Sequence, residues 1–174
     1  ELSMVDSLLK QGYVDSAYIR LHKITSRNLH SVEDSAYYAL LYSQAAYRTY
    51  KPINSERLNF CINYYSKKSD EQEKLAMAYY YKGKVLYDAG NIKDGVVYVK
   101  NAEYIADKTE DLELRHKVYE SLVIINEEAG DLSAAMKYAK KSLAVSEQAK
   151  LVNWKVHAYN NVAVIHSRQG QSDT

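Results

Sequence analysis

Residues 76–108 read AMAYYYKGKVLYDAGNIKDGVVYVKNAEYIADK, and this stretch decides the fold. An apolar pattern of helical period runs up to Gly90, Gly90-Asn91 interrupts it, and Ile92, Val96, Val99 and Ala102 resume it at i, i+4, i+7, i+10. Two helices joined by a tight turn are the expected unit. Forty residues on, the layout recurs: residues 118–148, VYESLVIINEEAGDLSAAMKYAKKSLAVSEQ, break at Gly130-Asp131, a helix-ending glycine followed by a carboxylate suited to cap the next helix. Leu132, Ala135, Met136 and Ala139 then carry a second buried stripe. Tyr98 matches Tyr138, Lys100 matches Lys140 and Ile105 matches Val145, so the similarity extends through the second helix.

The same spacing tiles the rest of the chain. Tyr79, Tyr119 and Tyr159 are forty residues apart, and so are Gly90, Gly130 and Gly170. Backwards from Gly90, steps of thirty-nine reach a turn at Lys51-Pro52 and then Gly12. The approximate repeats are 1–32, 33–72, 73–110, 111–150 and a truncated 151–174, within a single repeat domain. A period in this range marks a stacked array, in which each unit buries its apolar face on its neighbours. The chain has one proline and six glycines, four of them at the expected turns, which leaves few breakers to oppose an all-α fold.

These residues resemble the tetratricopeptide repeat family. Its pattern of a large aromatic, a leucine-glycine pair and a second aromatic, followed by A-x3-F, is echoed by Tyr79, Lys82, Gly83 and Leu86, then Gly95 and Val99. Tyr119, Leu122, Val123, Ala135 and Ala139 echo it in the next copy. Gly12, Ala17 and Leu21 carry its second half early in the chain, and Tyr159, Val162, Ala163 and Gly170 its first half at the end. The period is forty rather than thirty-four, the family's terminal proline is missing, and tyrosine replaces tryptophan; six extra residues add under a turn to each helix at ~3.6 residues per turn. The resemblance implies a right-handed α-solenoid of stacked antiparallel hairpins, a non-catalytic module for binding proteins or peptides. It is similar to the repeat arms of bacterial regulators and scaffold proteins, including membrane-tethered ones, and leaves open which side of the membrane such an arm occupies. The alternatives are an assembly protein whose repeats make homo-oligomers and an accessory domain of an enzyme encoded outside this segment.

Composition argues against other classes. With 23 basic and 22 acidic residues well mixed, the chain offers no overall pull on nucleic acid or anionic membrane, and no apolar run approaches the ~18–20 residues that span a bilayer. Cys61, alone between Phe60 and Ile62, reads as a small buried side chain. His22, His30, His116, His157 and His166 form no metal-ligand spacing, and no phosphate loop or nucleophile elbow occurs, so no cofactor, metal or catalytic residue is expected. Lys137, Lys140 and Lys141 read as a solvated helix face.

Among the 18 tyrosines, Tyr37, Tyr38, Tyr79, Tyr119 and Tyr159 suit packing between hairpins. Tyr80, Lys84 and Tyr87 stand at i, i+4, i+7 on a face rotated from that stripe. In the resembled family this face of the first helix lines the concave groove. The forty-residue register continues it through Glu120, Ile124 and Glu127, then Asn160, Val164 and Ser167, with Arg48 from the second copy and Asn161 beside Asn160. Aromatic plates, charges and amides there suit an extended protein segment.

In the last copy, Val152, Val156, Tyr159, Val162 and Ala163 occupy packing positions, and a second helix is expected to begin after Gly170 with Gln171-Ser172-Asp173. Nothing in residues 151–170 covers the apolar side of that first helix, so either a longer array or a homodimer through the 151–169 helix is expected to bury it.

Overall fold

The structure, a computed structural model, describes residues 1–172. Among them are nine α-helices and no strand: α1 Leu2–Lys10, α2 Val14–Leu21, α3 Val32–Arg48, α4 Ser55–Tyr65, α5 Gln72–Asp88, α6 Ile92–Ala106, α7 Leu112–Glu128, α8 Leu132–Ala149 and α9 Val152–Ser172. A 3-10 turn at Ser26–Asn28 follows α2. No described helix is long and apolar enough to cross a membrane.

Local chemistry sets the helix starts. Ser31 accepts from the Asp34 amide, Asn54 from Glu56, Asp111 from Leu114 and Asp131 from Ala134, each satisfying an amide that the helix leaves without an intrahelical acceptor. Such a cap is worth about 1 kcal/mol.

Four turns within hairpins share one hydrogen-bond pattern. The amides of Tyr13, Lys51, Asn91 and Asp131 reach back to the carbonyls of Leu8, Ala46, Leu86 and Asn126. The residue before each has a left-handed backbone: Gly12, Gly90 and Gly130 at φ +86°, +85° and +76°, and Tyr50 at +56°. The second turn therefore pivots on Tyr50, one residue ahead of the expected Lys51-Pro52 and forty before Gly90. A side chain there costs about 1–2 kcal/mol of backbone strain that glycine avoids.

The chain forms two compact units, Glu1–Tyr98 and Val99–Thr174, with the boundary inside α6. In the first, α1 packs on α2 and α3, α3 on α2, α4 and α5, and α4 on α5. Its core gathers Val5, Leu9, Ala17, Leu21, Leu41 and Ala45, with Leu58, Cys61 and Tyr65 buried further along the unit. Burial pushes the Cys61 thiol up to about 12, so this cysteine is an inert packing residue. Gly95 brings α6 against α5: a Cβ there would lie 2.8 Å from the Tyr87 amide nitrogen. In the second unit α7 packs on α8, and α9 on both. Leu114, Val118, Tyr119, Leu122, Val123, Ala139, Val145, Ala158 and Ile165 are buried there.

Three expectations need correction. Ile92 is half-exposed, because the buried stripe of α6 starts later and runs through Val99, Ala102 and Ala106. Gly170 is not a turn: α9 runs through it to Ser172, so no second helix starts at Gln171-Ser172, and Asp173 lies outside the described residues. The buried face of α9 is also the opposite one. Ala158 and Ile165 are buried, whereas Val152, Val156, Tyr159 and Ala163 face solvent and Val162 is only partly covered.

Candidate partner-binding surfaces

In the first unit the ends of α3 and α5 meet around Tyr47 and Asp88. The Tyr47 hydroxyl donates to Asp88 at 2.8 Å, and burial, followed by that carboxylate, pushes its phenol above the usual range. Arg48 donates to the Leu9 carbonyl at 2.9 Å, which ties α3 to α1. Lys84 pairs with Asp88 at 3.5 Å and lies 5.6 Å from the Tyr87 ring. An open cleft of about 700 Å³, lined by Val14, Tyr47, Arg48, Tyr50, Lys51 and Asp88, lies beside this cluster. Tyr50, 97% exposed, stands at its edge.

Tyr80 departs from the expectation. It is buried and meets Tyr81 edge to face at 5.0 Å between ring centroids, so it is packing and takes no part in a surface. Tyr87 is half-buried.

In the second unit α7 and α9 are tied by two polar pairs. Asn161 donates to Glu120 at 2.9 Å, and Arg168 pairs with Glu127 at 3.1 Å. Ile124 and Val164 lie between these pairs, 45% and 46% exposed, and Asn160 is exposed nearby. The expected neighbours of Glu120 and Glu127 were Asn160 and Ser167, and the observed ones lie one residue further along. Glu120, Glu127 and Asn161 thus brace the two helices, which leaves Ile124, Asn160 and Val164 as the accessible part of that set.

Behind Glu120 lies a network that the sequence reading did not single out. Ser142 of α8 donates to Glu120 at 2.6 Å and lies 3.0 Å from His116 Nδ1, and Trp154 of α9 stacks on His116 at 4.3 Å. Burial holds His116 below its usual range, and with the Ser142 hydroxyl donating to Glu120 its oxygen is left to accept from His116 Nδ1. Serine, histidine and carboxylate meet here in the wrong order for nucleophilic catalysis. The hydroxyl gives its proton to the carboxylate rather than to the imidazole, and Ser142 is fully buried. The only tryptophan, Trp154, shares a stripe with Ala158, Asn161 and Ile165 at i, i+4, i+7, i+11, and that stripe was the signal for this contact.

Among the described residues no group of His, Cys, Asp and Glu is placed to hold a metal ion. His157 and His166 are exposed. No protein-family model, curated protein or solved structure matches this chain.

Proposed function

We propose that the chain is a non-catalytic protein-interaction module. Its hairpins stack within each unit as a right-handed α-solenoid of tetratricopeptide type, and its first helices form the face that takes a protein or peptide segment, as in a scaffold or signalling arm. One packing asymmetry supports this reading. First helices neighbour first helices, α1 on α3 and α3 on α5 in one unit and α7 on α9 in the other, whereas α2 and α4 each pack between two first helices. Such stacking gathers first-helix side chains onto one side, the usual binding side of helical arrays. In the first unit that side offers Arg48, Lys84 and Tyr87 with the adjoining cleft; in the second it offers Ile124, Asn160 and Val164. Tyrosine and arginine are the side chains that most often anchor interfaces.

Selection of a displayed random-peptide library against the full chain tests the proposal. Enriched peptides should lose at least tenfold in affinity for Arg48→Ala or for the pair Ile124→Ser and Val164→Ser. No enrichment over a carrier control, or binding that ignores both variants, would overturn it. Nucleotides, divalent metals and heparin should leave the melting temperature unchanged, since a ligand at ~100 times its Kd adds about 2.7 kcal/mol.

A further inference from the structure

Tyr50 is the outlier among the turns. Gly12, Gly90 and Gly130 take the left-handed position in the other three described within-hairpin turns, where they have no Cβ to strain, and Tyr50 takes it with a phenol ring. Burial does not compensate, because that ring is almost wholly exposed. Lys150, the other described non-glycine residue with a left-handed backbone, is a solvated cation at the end of α8. Strain in a bulky residue that packs so little points to function, since such conformations cluster at ligand sites.

The ring is held where a ligand would meet it. Tyr50 lies at the edge of the open cleft beside Tyr47, and with Val14 the two tyrosines are its apolar lining. The Lys51 amide donates to the Ala46 carbonyl at 2.8 Å, and Pro52 favours extended backbone at Lys51, so the segment that presents Tyr50 is stiff before anything binds. At about 700 Å³ the cleft lies within the ~300–1,000 Å³ usual for ligand sites.

Donor capacity narrows the occupant. The lining offers donors in Arg48, Lys51 and the Tyr50 hydroxyl, and neither Lys51 nor Tyr50 makes a side-chain hydrogen bond or ion pair among the described residues. Its one carboxylate, Asp88, is already engaged by the Tyr47 hydroxyl and by Lys84. What remains is mainly donor capacity, which suits carbonyl oxygens rather than amide N–H groups. A proline-rich strand has that balance. Each proline keeps its carbonyl and lacks the N–H, and the polyproline II backbone makes no internal hydrogen bonds that would occupy those carbonyls. Its pyrrolidine rings pack well on aromatic side chains.

We propose that Tyr50 anchors a site for a proline-rich segment of another protein, seated in the polyproline II conformation against the Tyr50 and Tyr47 rings, with Arg48 and Lys51 donating to its carbonyls. The site lies on the first-unit surface of the interaction module and rests on that reading, to which it adds the class of partner.

Two displayed peptide libraries test it on the full chain, one of random sequence and one with proline fixed at every third position, which keeps the prolines on one edge of the three-residue polyproline turn. The proline library should be enriched. Its peptides should lose at least tenfold in affinity on Tyr50→Gly, even though that variant unfolds at a higher denaturant concentration than the parent. Stability gained while binding is lost is not what a purely structural tyrosine would give. Tyr50→Phe keeps the ring and should lose less than Tyr50→Gly. Random peptides that weaken on Arg48→Ala yet bind Tyr50→Gly as tightly as the parent would leave the interaction module standing and overturn this site. Enriched peptides that lack proline would do the same, and enrichment of neither library would overturn both.

Discussion

Helices α7 and α9 carry the same register and opposite exposure. Tyr119 is 2% exposed and Tyr159 is 54%; His116 is 8% exposed and Val156 is 52%. The more hydrophobic residue of the second pair is the one in water. What differs is cover: α7 has α8 across this stripe, whereas α9 turns its opposite side to α7 and α8. In a repeat, sequence position defines a face, and the neighbouring helix decides whether that face becomes core.

The largest expected effect separates the two tyrosines. Tyr119→Ala should cost about 3 kcal/mol, through lost burial and the cavity left behind, in chemical denaturation of the chain. Tyr159→Ala should fall within about 0.5 kcal/mol of the parent, as exposed substitutions do. Similar costs at both positions would break the comparison.

A smaller contrast lies in the glycines. Gly130 is left-handed, so Gly130→Ala should destabilise by about 1–2 kcal/mol. Gly170, forty residues on, lies inside α9 with open space around it, and Gly170→Ala should stabilise by about 0.5 kcal/mol. A loss at Gly170 as large as that at Gly130 would restore the turn read from the sequence. Tyr50→Gly, at the one of the four described within-hairpin turns that lacks glycine, should raise stability.

The smallest effect is in pH. Burial lowers the folded-state pKa of His116, with the nearby charges of Glu120, His157, Lys117 and Glu113 modifying the shift. The unfolded chain then binds more protons than the folded one, so this contribution is fully present above about pH 6.5 and is lost as the pH falls below it. Unfolding followed by Trp154 fluorescence should show stability declining with acid, and His116→Asn should flatten that slope. An unchanged slope would mean that the stack on Trp154 does not sense the proton.

Much of the fold was legible because its turns carry a backbone signal. Gly12, Gly90 and Gly130 mark left-handed positions, and Asp111 and Asp131 mark helix starts. Where that signal fails, so does the reading. Tyr50 takes the glycine's place at the cost of strain, and Gly170 is a glycine with no left-handed backbone. Which residues meet between successive first helices was legible to within one residue. Equivalent positions on successive first helices point the same way and not at each other, so contact joins the trailing side of one helix to the leading side of the next. Tyr47 with Asp88 and Glu127 with Arg168 are each forty-one apart, one residue or about 100° of helical turn beyond the repeat. Tyr80 was misplaced because an aromatic beside the packing stripe can turn into the core as readily as out of it.

Hydroxyl-radical footprinting of the tyrosines, read by mass spectrometry on the native chain, tests most directly the claim that register names a face and cover makes it core. Tyr159 and Tyr50 should be modified among the fastest, with Tyr119, Tyr65 and Tyr81 among the slowest. Equal rates at Tyr119 and Tyr159 would contradict the account.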